Sequence, residues 1–494
     1  MTLGKSAFMG NTALSKGGAI YNTGYMNFTD EAVFEGNISR SETGSAQGGA
    51  IINTNTLDFK GNVTFQNNKT QGNTYSEGGA IYTGAGSVTS FETVDFISNK
   101  TISDKNEAKG GAIHNNGTIT MGSVLFEGNQ ALGSSNGYGG AIFNTGTLEL
   151  ESAEFKNNLA QGGTGYGNGG AIYASSNSSN IILKNAIFTG NKAESLQSVA
   201  QGGAVRTMSG KMNFEGHTVF GGYLTDNNGD YVLDSEGNKI SLGNISHTKE
   251  YTKADGTVTS GTAQGGAIHN EGGSVLTFDS ADFIGNKAIS DKGVARGGAI
   301  FNYPSSINPI LFNGVAQFKD NMVKAYSDGS GGAVSNQSGS VVFEDTDENP
   351  ETPTTANITY GMTFKGDTTF TGNKAEVETN NSYGGAIANS GYMLLSGDNT
   401  FGGYAVDGNG EYVLDSEGNK ISLGNQAKQG GAIYNSGGKK EGDVIAYGMT
   451  LGKSTFMGNT ALSSGGAINN TGYMNFTDEA LFEGNEASNQ GGAI

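Results

Sequence analysis

The chain has no cysteine, no tryptophan and only 4 prolines in 494 residues. Without thiols there is no disulfide framework and no thiolate metal site, which suits a protein that must cross an oxidising compartment without becoming trapped by cross-links. No stretch approaches the length and hydrophobicity of a membrane-spanning helix. Cations are scarce: 28 Lys+Arg against 47 Asp+Glu give a net charge of -19. Recognition of a phosphate backbone rests on basic patches, so nucleic acid is not expected as a partner. The N-terminal segment, Met1 to Asn11, has neither the basic nor the apolar region of a signal peptide. Residues 1–37 match 449–485 at all but four positions (Ala7/Thr455, Lys16/Ser464, Tyr21/Asn469, Val33/Leu481), which makes Met1 equivalent to the interior residue Met449. Ile494 falls inside a repeat unit, so a fragment of a longer array, truncated at both ends, is expected, and missing targeting signals carry no weight.

What the chain has in abundance is glycine, 83 residues. There is no collagen-like triplet. Instead a Gly-Gly-Ala-Ile or Gly-Gly-Ala-Val unit recurs in fourteen copies from Gly17 to Ile494, most of them 26 to 35 residues apart. Phe-x-x-Asn follows in phase, as in Phe34-Glu-Gly-Asn37, Phe65-Gln-Asn-Asn68 and Phe126-Glu-Gly-Asn129. A period held to both ends means one repeating architecture, a solenoid read as a single domain over 1–494.

The repeat Gly465 to Gln490 holds three short strand signals and is too short for a helical pair. The first is Ile-x-Asn (Ile113-His114-Asn115). The second has apolar residues two apart (Met26/Phe28, Leu148/Leu150). The third places a small or aliphatic residue two before the Phe of Phe-x-x-Asn (Ala32/Phe34, Val124/Phe126). Period two is the strand signature. Stacked about 4.8 Å apart, these strands predict an all-β, three-sided parallel β-helix of about fourteen coils. Ile and Phe ladders form its core, Gly pairs make corners where φ > 0 or close approach leaves no room for a Cβ, and Asn stacks lie at the other corners.

Paired Gly-Gly-Ala-(Ile/Leu/Val) and Phe-x-x-Asn motifs are the hallmark of the chlamydial polymorphic membrane proteins, and the chain resembles their repeats, and those of similar bacterial autotransporter passengers, over its whole length. The resemblance implies a secreted passenger displayed on the bacterial cell surface or outer membrane, a right-handed β-helix, and adhesion to a host-cell surface protein or glycan. A membrane connection would run only through a translocator barrel outside this sequence. Phe220-Gly-Gly-Tyr223 and Phe401-Gly-Gly-Tyr404 depart from Phe-x-x-Asn.

Insertions are expected at 223–264, 344–360 and 404–425. The first and last share an identical run, Tyr231 to Asn244 and Tyr412 to Asn425, read as hairpin arms leaving the shaft. The middle one, with Pro350 and Pro353, reads as a loop. Oxygen-bearing residues around Asp226 and Asp407 have calcium-like alternation but incomplete loop spacing, and turns need the same residues. The four histidines (His114, His217, His247, His269) lie on different coils, and no nucleophile elbow, phosphate loop or zinc motif appears. No catalytic, metal or cofactor residue is assigned.

The position between Ile and Asn on the first strand is rich in rings. Tyr21, Tyr82, His114, Phe143, Tyr173, His269, Phe301 and Tyr434 should point outward by alternation. They predict either a self-stacking ladder or a partner-binding face. The function expected is a non-enzymatic adhesin or structural stalk. A polysaccharide-degrading β-helix enzyme and a self-associating surface spacer, including end-to-end association, remain the alternatives.

Overall fold

The computed structural model describes residues 1–304, 308–344 and 355–494. Its described secondary structure is β throughout, with two compact units, 1–269 with 290–292 and 270–289 with 293–494.

One coil of the first unit shows how sequence becomes structure. Ile113–Asn115 is the first side, Thr118–Glu127 the second, and Gln130–Gly133 with Gly137–Tyr138 the third. Each strand pairs in parallel with its equivalent one repeat on, so Ile113 lies beside Ile142, Phe126 beside Phe155 and Ala131 beside Ala160. The sides are distributed differently from the expectation. The second and third predicted strands are one element here, in which Ile119, Met121, Val124 and Phe126 are buried. A single phase slip at Gly122-Ser123 joins the two halves, because two residues are too few to turn a corner. The actual third side carries Ala131 and Gly133 inward, and such small residues give little hydrophobic periodicity to read. In the second unit the halves separate as Ile310–Phe312 and Ala316–Lys319, yet both still pair with the single strand Val275–Ile284.

The ladders are as the period demands. In the first unit Phe8, Phe34, Phe65, Phe96, Phe126, Phe155, Phe188 and Phe220 stack in series, neighbouring centroids lying between 4.7 and 5.0 Å apart. In the second unit Phe283, Phe318, Phe370, Phe401, Phe456 and Phe482 do the same. Beside each Phe stack runs an Asn stack whose amides satisfy one another. Asn129 Nδ2 donates to Phe96 O and Asn158 Oδ1, both at 2.9 Å, and its Oδ1 accepts from the backbone N and Nδ2 of Asn99. Leaving one such buried group unpaired costs about 1–3 kcal/mol.

The two corner glycines are needed for different reasons. Gly139 has φ +62, whereas a Cβ on Gly140 would sit 2.0 Å from the carbonyl oxygen of Gly170, its counterpart on the next coil.

The departures at Phe220 and Phe401 also resolve. The Asn is not lost: Asn191 bonds Asn244, and Asn373 bonds Asn425. Each arm is inserted inside a Phe-x-Gly-Asn unit, with Leu242 or Leu423 in the x position, accepting the Gly190 or Gly372 N–H. The predicted insertion 223–264 is two features, since the shaft strand Ile245–Thr248 lies between the arm and a small antiparallel hairpin, Tyr251–Thr252 with Val258–Thr259. Residues 345–354 of the predicted loop, with Pro350 and Pro353, lie outside the described residues. Its flanks, Gly339–Glu344 and Thr355–Tyr360, form an antiparallel ladder. A further hairpin, Gly438–Glu441 with Val444–Tyr447, has no strong signal in the sequence.

Candidate interaction surface

The ring-rich row is a real stack. Tyr82 and His114 centroids are 5.0 Å apart, His114 and Phe143 4.7 Å, Phe143 and Tyr173 5.3 Å. It is not the solvent-facing row that alternation predicts. His114, Phe143, Tyr173, His269 and Phe301 are buried, Tyr82 and Tyr434 are half-buried, and Tyr21 is 52 % exposed.

The reason lies across the Gly-Gly corner. The residue before each Gly pair ends the third side, and the outward side chains on the two flanks of this sharp corner fill one concave angle. Tyr138 packs against Phe143 and Tyr173, with centroids 6.2 and 4.9 Å away. Lys109 Nζ lies 5.6 Å from the Phe143 centroid, and Glu77 Oε1 lies 3.7 Å from His114 Nδ1. On the other flank Asn116 Nδ2 donates to Tyr82 Oη at 3.0 Å, while Arg206 Nη1 donates to Tyr173 Oη at 3.0 Å. Burial is felt electrostatically. Desolvation pushes the Tyr82 and Tyr138 hydroxyls up and holds the His114 imidazolium well below the usual histidine range, with Glu77 opposing that last shift.

The arms are more exposed, and each contains the predicted hairpin, Leu233 pairing antiparallel with Lys239 and Leu414 with Lys420, within a larger closure that includes a third segment. Leu224 N–H donates to Ile240 O, Val232 N–H to Leu224 O, and Ile240 N–H to Val232 O, closing a three-membered cycle. Ala405, Val413 and Ile421 close the same cycle in the second arm. Two Asx turns set the eight-residue spacing: Asp226 Oδ1 accepts from the N–H groups of Asn228 and Asp230, and Asp234 Oδ1 from those of Glu236 and Asn238. Asp407 and Asp415 repeat this, and the backbone donors hold Asp234, Asp407 and Asp415 below the usual carboxylate range. The carboxylates read as calcium-like in sequence are therefore engaged in turn closure. On each knob a lysine caps paired tyrosines, with Lys239 Nζ 3.8 Å from the Tyr231 centroid and Lys420 Nζ 4.0 Å from that of Tyr412. Leu233 and Leu414 are each 54 % exposed beside them.

The Chlamydia polymorphic membrane protein repeat matches at residues 5–23, 62–84, 123–145, 152–175, 367–390 and 453–471. The chain carries this family's repeats. The match over 123–145 runs from the Phe126 and Asn129 ladders through the Gly139-Gly140 corner to Asn144, so the polymorphic membrane protein repeat takes in the end of the second side, the whole third side and the first side of the next coil. Such repeats point to a surface-exposed protein of the autotransporter type. No curated protein and no solved structure matches the chain. Among the described residues no helix is long and apolar enough to cross a membrane, which says nothing of a β-barrel.

One cluster escaped the sequence reading, which scattered the histidines. In the first unit His247 Nε2 lies 2.9 Å from Asp291 Oδ1 and its Nδ1 3.8 Å from Glu194 Oε2. Glu194 is buried, and it also meets Lys192, Lys249 and the Gln161 amide. Burial alone would raise its pKa. The Lys192 and Gln161 hydrogen bonds and the lysine charges outweigh that and hold the carboxyl below its usual range. A carboxylate so fully paired is suited to binding adjacent coils together rather than to proton transfer. No group of three or more His, Cys, Asp or Glu among the described residues is placed to hold a metal.

Proposed function

We propose that this chain is a non-enzymatic adhesive stalk of an autotransporter-type surface protein, and that its cell contacts are made by the two knobs. The observation that carries this is their chemistry. Two nearly identical knobs hold exposed Tyr, Leu and Lys side chains on cyclic, turn-locked backbones. A preorganised apolar and aromatic surface loses little conformational entropy on binding, and aromatic residues are favoured anchors in interfaces. The repeating coils supply reach, and the buried ring row holds their corner together.

Joining Phe220 directly to Leu242, and Phe401 to Leu423, removes both knobs while restoring Phe-x-Gly-Asn. The doubly joined chain should keep its β-sheet circular dichroism and lose binding to host-cell surfaces. Undiminished binding would refute the knobs as contacts. Release of reducing or unsaturated sugar ends by the intact chain would instead favour the polysaccharide-degrading alternative.

A further inference from the structure

In the second unit the ring row is interrupted. Phe301 is buried and Tyr434 half-buried, but the two positions between them are Ser335 and Ala388, which leave a notch of about 120 Å³. Tyr434 and Tyr383 wall it, with ring centroids 4.7 Å apart at 53°. Ser335 Oγ is 3.1 Å from Ser330 Oγ at its base. Gln337 and the exposed Ser390 lie on its rim. The described lining carries no carboxylate, amine or guanidinium.

We propose that this notch binds one neutral pyranose residue of a glycan. A pyranose has an apolar C–H face and a rim of hydroxyls that both donate and accept. The tyrosine faces supply the apolar wall, and Ser and Gln side chains supply donors and acceptors in either direction. An uncharged lining has no counter-ion for a sialic acid or a sulfated sugar, whose desolvation would go uncompensated. The volume suits one ring and is well short of the roughly 300 Å³ and more of a drug-sized pocket, so a single subsite with weak affinity is expected. The site rests on the surface-exposed reading but not on the knobs, because its residues belong to the shaft.

Saturation-transfer NMR on the full chain tests it, using methyl β-D-galactopyranoside, methyl β-D-glucopyranoside, N-acetylneuraminic acid and N-acetyl-phenylalanine amide as probes. At least one neutral glycoside should receive saturation, and N-acetylneuraminic acid should not. The double variant Ser335→Phe with Ala388→Tyr, which refills the row, and the single variant Tyr434→Ala, which removes a wall, should each lower the glycoside signal at least tenfold. Circular dichroism and melting confirm that each variant is folded. If the refilled variant fails to fold, Tyr434→Ala decides alone. No transfer to any neutral glycoside, transfer unchanged in the folded variants, or transfer only to the phenylalanine amide would each overturn the proposal. Loss of cell binding by the knob-less chain with glycoside transfer intact would support both sites independently. Absent glycoside transfer with cell binding retained would remove only the notch.

Discussion

Substituting Gly140 by alanine separates two reasons for a recurring glycine that are easily confused. Gly140 does not have positive φ, so an alanine there has no left-handed backbone to adopt. Its Cβ, however, would lie 2.0 Å from Gly170 O and 2.6 Å from the Leu159 backbone N and C, where real Cβ contacts under 3.0 Å essentially never occur. The neighbouring coil must move back by about 1 Å, and hydrogen bonds between the two coils stretch beyond useful length. Three lie at this corner: Gly140 N–H to Gly169 O at 3.0 Å, Ala141 N–H to Ala171 O at 3.0 Å and Ile142 N–H to Ala171 O at 2.9 Å. At about 1 kcal/mol net for each, the loss is about 3 kcal/mol before any strain. Gly128 is the control. It has φ +66, but its Cβ would meet only Ser98 Oγ at 3.4 Å, so Gly128→Ala should cost no more than the roughly 1–2 kcal/mol of a left-handed residue. Hydrogen exchange by mass spectrometry suits the comparison, because stability in a solenoid is local to a coil and its neighbours. Gly140→Ala should strip protection from the amides of Ile113–Asn115, Ile142–Asn144 and Ile172–Ala174, and Gly128→Ala should leave them nearly unchanged. Equal effects, or a larger loss at Gly128, would mean that backbone conformation and not close approach sets the corner.

Phe126→Ala removes a fully buried ring stacked at 4.9 Å on both Phe96 and Phe155, and should cost about 3–5 kcal/mol, read as lost exchange protection confined to the adjoining coils. Phe143→Ser with Tyr173→Ser should lower the melting temperature and cost at least about 2 kcal/mol, since both rings are buried; an unchanged melt would show the row to be dispensable for folding. The pH dependence has one sign at two places. His114 has a folded pKa below its 6.5 reference, so its stabilising contribution is complete above about pH 6.5 and is lost as the pH falls towards the folded value. Glu194, held below 4.5, contributes fully above about pH 4.5 and loses that contribution at lower pH. His114→Phe should therefore flatten the decline in urea midpoint between about pH 7 and 5, and Glu194→Gln the decline below it.

Much of the shaft is legible in the sequence because each ladder repeats one residue type at one phase. Phe126 sits beside Phe96 and Phe155, and Asn129 beside Asn99 and Asn158, so the period alone places them. The third side is harder to read. Ala131, Gly133 and Gly137 are small and their strands short, and alternation of small residues with polar ones resembles a loop. The inward-facing Ala131 and Ala160 are identifiable only once the spacing from Asn to Gly-Gly is seen to hold two extended segments.

The ring row fails for a different physical reason. Alternation decides on which face of its own strand a side chain lies, and Phe143 does lie opposite Ile142. Burial also depends on what another strand presents to that face, and here the other strand is bent sharply against the first at Gly139, which has φ +62 and lies so close to the first strand that a Cβ there would sit 2.0 Å from Ile142 O. The outward residues Tyr138 and Phe143, five positions apart in the sequence, consequently meet. A signal for this was present in the residue before several of the Gly pairs, where Gln47, Glu77, Lys109, Tyr138 and Gln201 recur in phase as side chains long enough to cover a ring. The knobs carry a comparable signal in Tyr223, Tyr231 and Lys239, spaced eight apart with Asp and Gly at matching offsets. A hairpin reading pairs only two of those three segments. The backbone pairs all three in a cycle, and that closure brings Lys239 over both tyrosines.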